Sequence, residues 1–90
     1  MVFEMAASGK KSSAYFGNTP DGTDPHAIDI GWDWVMYGLR ETYPGAVDMQ
    51  ILGNVFRSLE NEHPEFKPAE LEFIWTQITG MLRDQGRLAK

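Results

Sequence analysis

His26 and His63 are the side chains best suited to acid–base or metal chemistry, and their placement argues against both. They are the only histidines, they stand far apart in turn-forming stretches, and neither has a second ligand one helical turn away, as a two-histidine zinc site requires. Both are expected to be ordinary solvent-facing loop residues. Glu60, Glu62 and Glu65 form the densest group of carboxylates, but the spacing and central glycine of a calcium loop are missing, and Asp21-Gly22-Thr23-Asp24 is too short for one. Of the nucleophiles, Ser8, Ser12, Ser13 and Ser58 all lie outside a G-x-S-x-G turn, and there is no cysteine. GNTPDGT lacks the lysine and the spacing of a phosphate-binding loop. The expectation is therefore a protein that is not an enzyme, with no metal and no cofactor.

The residues that do stand out are aromatic. Placing them requires the helices. Over Pro68–Gly86, Leu71, Ile74, Trp75, Ile78, Met81 and Leu82 recur at three- and four-residue steps, which predicts an amphipathic helix with one buried stripe. Pro68 suits a first helical position, Glu70 and Glu72 the positive end of the dipole and Arg83 the negative end, and Gly86 is a natural stop. An earlier helix is predicted near Asp29–Thr42, with Ile28, Trp32, Val35, Met36, Leu39 and Tyr43 to one side and Pro44 ending it. Between them a helix from about Val47 to Asn61 presents Ile51, Leu52, Val55, Phe56 and Leu59. Gly53 weakens that helix by roughly 1 kcal/mol relative to alanine, which points to a close helix crossing or simple tolerance at that position. EHPEFK (62–67) is a connecting loop.

Three amphipathic helices on short connections predict an all-α, compact three-helix domain over residues 28–90, with Trp32, Leu39, Val55, Leu59, Ile74, Trp75 and Ile78 at its centre. A helix-turn-helix-like arrangement of the second and third helices is compatible with the loop lengths. Residues 1–27, with GKKSS and GNTPDGTDP, read as a flexible N-terminal arm containing a packed segment at Tyr15-Phe16, and MVFEM at its start reads as a short helix or strand.

Charge narrows the function classes. The net charge is −5, but from Pro20 to Trp75 eleven acids face only Arg40, Arg57 and Lys67, while Lys10, Lys11, Arg83, Arg87 and Lys90 sit towards the ends. The middle of the chain repels phosphate, and the first turns of the third helix, where a recognition helix would meet bases, carry glutamates; both disfavour DNA binding. Without cysteine there are no disulfides, Glu4 interrupts the apolar run of MVFEMAASG with no base before it, and no stretch approaches the roughly 20 apolar residues of a membrane span. A cytoplasmic protein away from the membrane is expected.

On the helical wheel Trp34 and Tyr37 fall opposite the core stripe of the first helix, and Phe73 opposite that of the third. With Asp33, Glu41 and Glu72 around them they are expected to form an aromatic patch with an acidic rim, covered by the protein's own arm, a second copy (a homodimer) or a protein partner with a basic surface. The sequence thus favours a small acidic protein-binding module: an adaptor, regulatory subunit or inhibitor. The alternative is a nucleic-acid-related protein, either a DNA mimic that inhibits a basic DNA-binding partner or a weak helix-turn-helix-like DNA binder. Steep weakening by salt would mark the mimic.

Overall fold

The computed structural model describes residues 12–89 and is all-α in its core. In chain order it comprises a minimal hairpin, β1 (Ser12–Ser13) and β2 (Gly17–Asn18), then α1 (Pro25–Thr42), α2 (Met49–Glu62) and α3 (Pro68–Asp84). No helix among the described residues is long and apolar enough to cross a membrane.

Helix α1 begins four residues before the expected Asp29. Asp24 is the N-cap, its carboxylate accepting from the His26 N–H at 3.0 Å, and Pro25 takes the first helical position. That Asp-Pro pair is the ordinary start signal of a helix, masked in the sequence by the turn-rich residues before it. The same start places His26 in a helical first turn instead of a loop. Helix α2 starts on an equivalent cap, Asp48 to the Ile51 N–H at 2.7 Å.

Helix α3 is capped differently, because the side chain of Lys67 at its N-cap holds no acceptor. Glu70, one turn in, reaches back instead: its Oε1 accepts from the Lys67 N–H at 2.9 Å, and its Oε2 accepts from the Asp24 N–H of α1 at 2.7 Å. This carboxylate is only 2% exposed, and its two oxygens tie together the N-termini of two helices. Lys67 Nζ adds a bond to the Gly22 carbonyl, closing the turn before α1 over the start of α3.

From that shared origin α1 and α3 run in the same sense. Gly31, seven residues beyond Asp24, lies against Ile74, seven beyond Lys67: a Cβ on Gly31 would stand 2.6 Å from Ile74 Cδ1 and 3.4 Å from the Phe66 ring. Phe66, read in the sequence as part of a plain loop, is therefore a core residue. Two turns further along nearly the same face, Gly38 of α1 meets Val55 of α2. Helix α1 packs against both other helices, so the first helix is the hub and α3 one of its neighbours.

The buried centre contains Ile28, Val35, Leu39, Leu52, Val55, Leu59, Ile74, Ile78 and Leu82. Trp32 and Trp75, expected at the centre, instead flank it half-buried; Trp75 meets Phe56 of α2 edge-to-face at 5.1 Å. Indole is too large for a crossing set by glycine and aliphatic side chains, and it packs better where the helices diverge.

The C-terminal end is stitched to the α1–α2 connection. Gly86, with φ 72°, lets the Gly86 and Arg87 N–H groups bond back to the Arg83 and Leu82 carbonyls, the 5→2 and 6→1 pair of a Schellman stop. Val47 then pairs in parallel with Leu88, and the Arg87 guanidinium donates to the Tyr43 and Gly45 carbonyls at 3.2 and 3.3 Å. A base that the sequence left free at the basic end thus neutralises the carbonyl terminus of α1.

The glycines supply a paired test. Nothing lies within 4 Å of a Cβ on Gly53, so Gly53→Ala should stabilise by up to about 1 kcal/mol through helix propensity. Gly31→Val must displace Ile74 in a fully buried site and should cost about 1–3 kcal/mol. Urea melts of the two variants should move in opposite directions.

Candidate interaction surface on the first helix

The hairpin decides which aromatic residues remain uncovered. Asp29 anchors it: one carboxylate oxygen accepts from Ser13 Oγ and the other from the Ala14 N–H at 2.9 Å. Ser13 Oγ in turn accepts from the Tyr15 and Phe16 N–H groups, so a single buried hydroxyl organises the turn. One helical turn on, Asp33 accepts from the Tyr15 hydroxyl at 2.9 and 3.0 Å. These bonds aim Phe16 into the gap between α1 and α3, where it meets Trp32 at 5.1 Å and Phe73 at 5.2 Å, both edge-to-face.

Over its described part, the segment read as a flexible arm is therefore bonded and packed onto α1. Of the Tyr15-Phe16 pair expected to pack there, Phe16 does so, while Tyr15 stays 51% exposed and is held by its hydroxyl. The reading of MVFEM as a short helix or strand lies outside the described residues.

The six residues expected to form one patch are divided. Phe73 is half-buried beneath Phe16. Glu72 lines a separate groove between α2 and α3 with Gly53, Phe56, Arg57 and Trp75. Trp34, Tyr37 and Asp33 stay together on α1, joined by Ile30 and Gly38 in a shallow, mainly apolar depression. Glu41, exposed, follows Tyr37 by four residues and Trp34 by seven, and so continues the same face.

Tyr37 is 64% exposed and Ile30 40%, whereas Trp34 is half-buried with its inner edge on the core. Ile30 was missed because a helix placed from Asp29 leaves it in a frayed first turn. Its spacing to Trp34 and Tyr37, four and seven, was the available signal. At Trp34 and Gly38 the depression runs on into a second one between α1 and α2, lined by Thr42, Tyr43, Asn54, Val55 and Ser58.

No group of three or more His, Asp or Glu among the described residues is placed to hold a metal ion. His63 closes α2, half-buried, with Nδ1 3.3 Å from Glu65 Oε2 and its ring against Phe66. Glu65's carboxyl is held below its ordinary value first by its own backbone N–H and then by His63.

No protein-family model matches the chain, and neither a curated protein nor a solved structure matches it.

The bond to Asp33 raises the pKa of Tyr15 above its ordinary 10.0, with smaller contributions from desolvation and the charges of Asp33 and Asp29. The neutral phenol is the bonding form. Its contribution to hairpin docking is therefore fully present below pH 10.0 and lost as pH rises through the raised value. An alkaline titration followed by tyrosinate absorbance should contain one late-ionising group that Tyr15→Phe removes. An identical late phase in the variant would place the raised phenol elsewhere.

Proposed function

We propose that this protein is a small binding module that engages another protein through the outer face of α1, with Trp34 and Tyr37 as anchors and Ile30 beside them. The observation that carries the reading is an apolar stripe at positions 30, 34 and 37 of the hub helix that no described element covers, with Tyr37 64% exposed. Aromatic side chains of this kind supply large contact area at low entropic cost, and Trp and Tyr dominate the binding energy of protein interfaces. Trp34 is held by the core on one edge and free on the other, which pre-organises it. Asp33 and Glu41 form the acidic rim. Phe73 and Glu72 belong to other surfaces and leave the proposed site. Adaptor, regulatory subunit and inhibitor are the roles such a module serves.

Direct DNA reading finds less support. Glu70 is consumed in holding two helix termini, Glu72 remains exposed on the first turns of α3, and Arg87 is engaged with backbone carbonyls. Mimicry of DNA by the acidic surface is the remaining alternative, separated by its steeper salt dependence.

A photo-crosslinking amino acid at position 37, expressed in the native host, tests the reading. It should capture a discrete protein, and capture should fall when Ile30→Ala is added. The same crosslinker at Gln50, on the exposed first turn of α2, should not capture that protein. Equal capture from both positions, or none from position 37, would refute the α1 face as the site.

A further inference from the structure

The two depressions share Trp34 and Gly38 and so adjoin along α1 and α2; taken together as one groove, their chemistry points to a kind of ligand. Resting on the protein-binding reading above, we infer that the groove takes an amphipathic α-helix whose apolar stripe is flanked by lysine or arginine.

The shape supports a helix. From Ile30 to Thr42, α1 advances about 18 Å, a span that matches roughly three helical turns of a ligand. The groove is walled by side chains of two helices, and the only strands among the described residues are two residues long, so an extended peptide finds no strand edge there on which to satisfy its backbone. A helical ligand brings its own backbone bonds and offers side chains at i, i+3, i+4 and i+7 to Trp34, Tyr37 and Val55. Gly38, Asn54 and Ser58 keep the floor low enough for those side chains to enter.

The charge supports a basic flank. Asp33 lines the α1 side; Glu41 continues the same face by helical spacing, and Glu62, exposed, follows Ser58 by one helical turn on the α2 side. Arg40 is the one base on that side of α1, and it is exposed. Among the described residues no lysine or arginine is paired with a carboxylate; the one ion pair is His63 with Glu65, at the end of α2. Within the described residues Asp33 is bonded only by the neutral Tyr15 hydroxyl, and no base pairs with the acids bordering the groove, so in a protein of net charge −5 they raise the local concentration of a cationic ligand. The same surplus opposes a second copy of this chain as occupant, since two acidic rims would meet.

Two synthetic helical peptides with the same apolar stripe, one flanked by lysines and one by glutamates, titrated against the full protein and followed at the Gly38 amide by NMR, test the inference. The lysine peptide should bind at least about tenfold more tightly than the glutamate peptide. Tyr37→Ala should abolish that binding, and Glu41→Gln/Glu62→Gln should cut the preference by about threefold or more. Equal binding of the two peptides would overturn the basic flank while leaving apolar docking, and the crosslink at position 37, intact. Binding of neither peptide would overturn the helical ligand. Concentration-dependent dimerisation lost in Tyr37→Ala, read by sedimentation, would overturn it in favour of a second copy.

Discussion

Two helix N-termini meet at one carboxylate, and the arrangement of the domain follows from that meeting. Glu70 is removed from water, which is tolerated because each oxygen accepts a backbone N–H and both donors stand at the positive ends of helix dipoles. With α1 and α3 fixed at a common origin, their register brings Gly31 to Ile74, and only a residue without a side chain lets the two helices approach there. Two turns on along nearly the same face, the contact of Gly38 with Val55 positions α2. Glu70 and the two glycines thus fix how α1 is turned about its own axis, and that rotation decides which of its aromatic residues are buried.

Helix α1 carries apolar side chains around more of its circumference than its neighbours can cover. Ile28, Val35 and Leu39 are enclosed by α2 and α3, and Trp32 is met by Phe16 of the hairpin. The hairpin needs polar anchors to stay in place, and Asp29 and Asp33, one turn apart on α1, provide them. Its position covers Phe73 and leaves Ile30, Trp34 and Tyr37 without a cover among the described residues. A device that completes the core on one side of the hub helix thereby defines the uncovered face on the other.

Much of this was legible in the sequence, because three- and four-residue apolar spacing survives in any packing. The three helices, the Gly86 stop and the buried faces of Leu39, Val55, Leu59, Ile74 and Ile78 follow from that pattern. What the pattern does not carry is long-range polar contact. Glu70 reads as a solvated first-turn acid until Asp24 is brought to it from 46 positions away. Phe66 reads as loop until Gly31 opens a place for it, and Arg87 as a free base until the Tyr43 carbonyl arrives. Likewise, the wheel set Trp34, Tyr37 and Phe73 opposite the core stripes, whereas Trp34 and Phe73 rest partly on the core, and only the seat of Phe16 separates Phe73 from the other two. Trp34 and Phe73 both touch the core, so truncating them would report on folding as much as on binding.

The central claim is that the outer face of α1 serves no purpose within the described fold. It is tested most directly by equilibrium urea unfolding of an Ile30→Ala/Tyr37→Ala variant, because these two side chains are the exposed members of the stripe. The account predicts a midpoint and slope close to those of the parent, with a stability change within about 1 kcal/mol, as for other exposed positions. A loss of several kcal/mol would show that the protein covers this face itself, and would contradict its assignment as a docking surface.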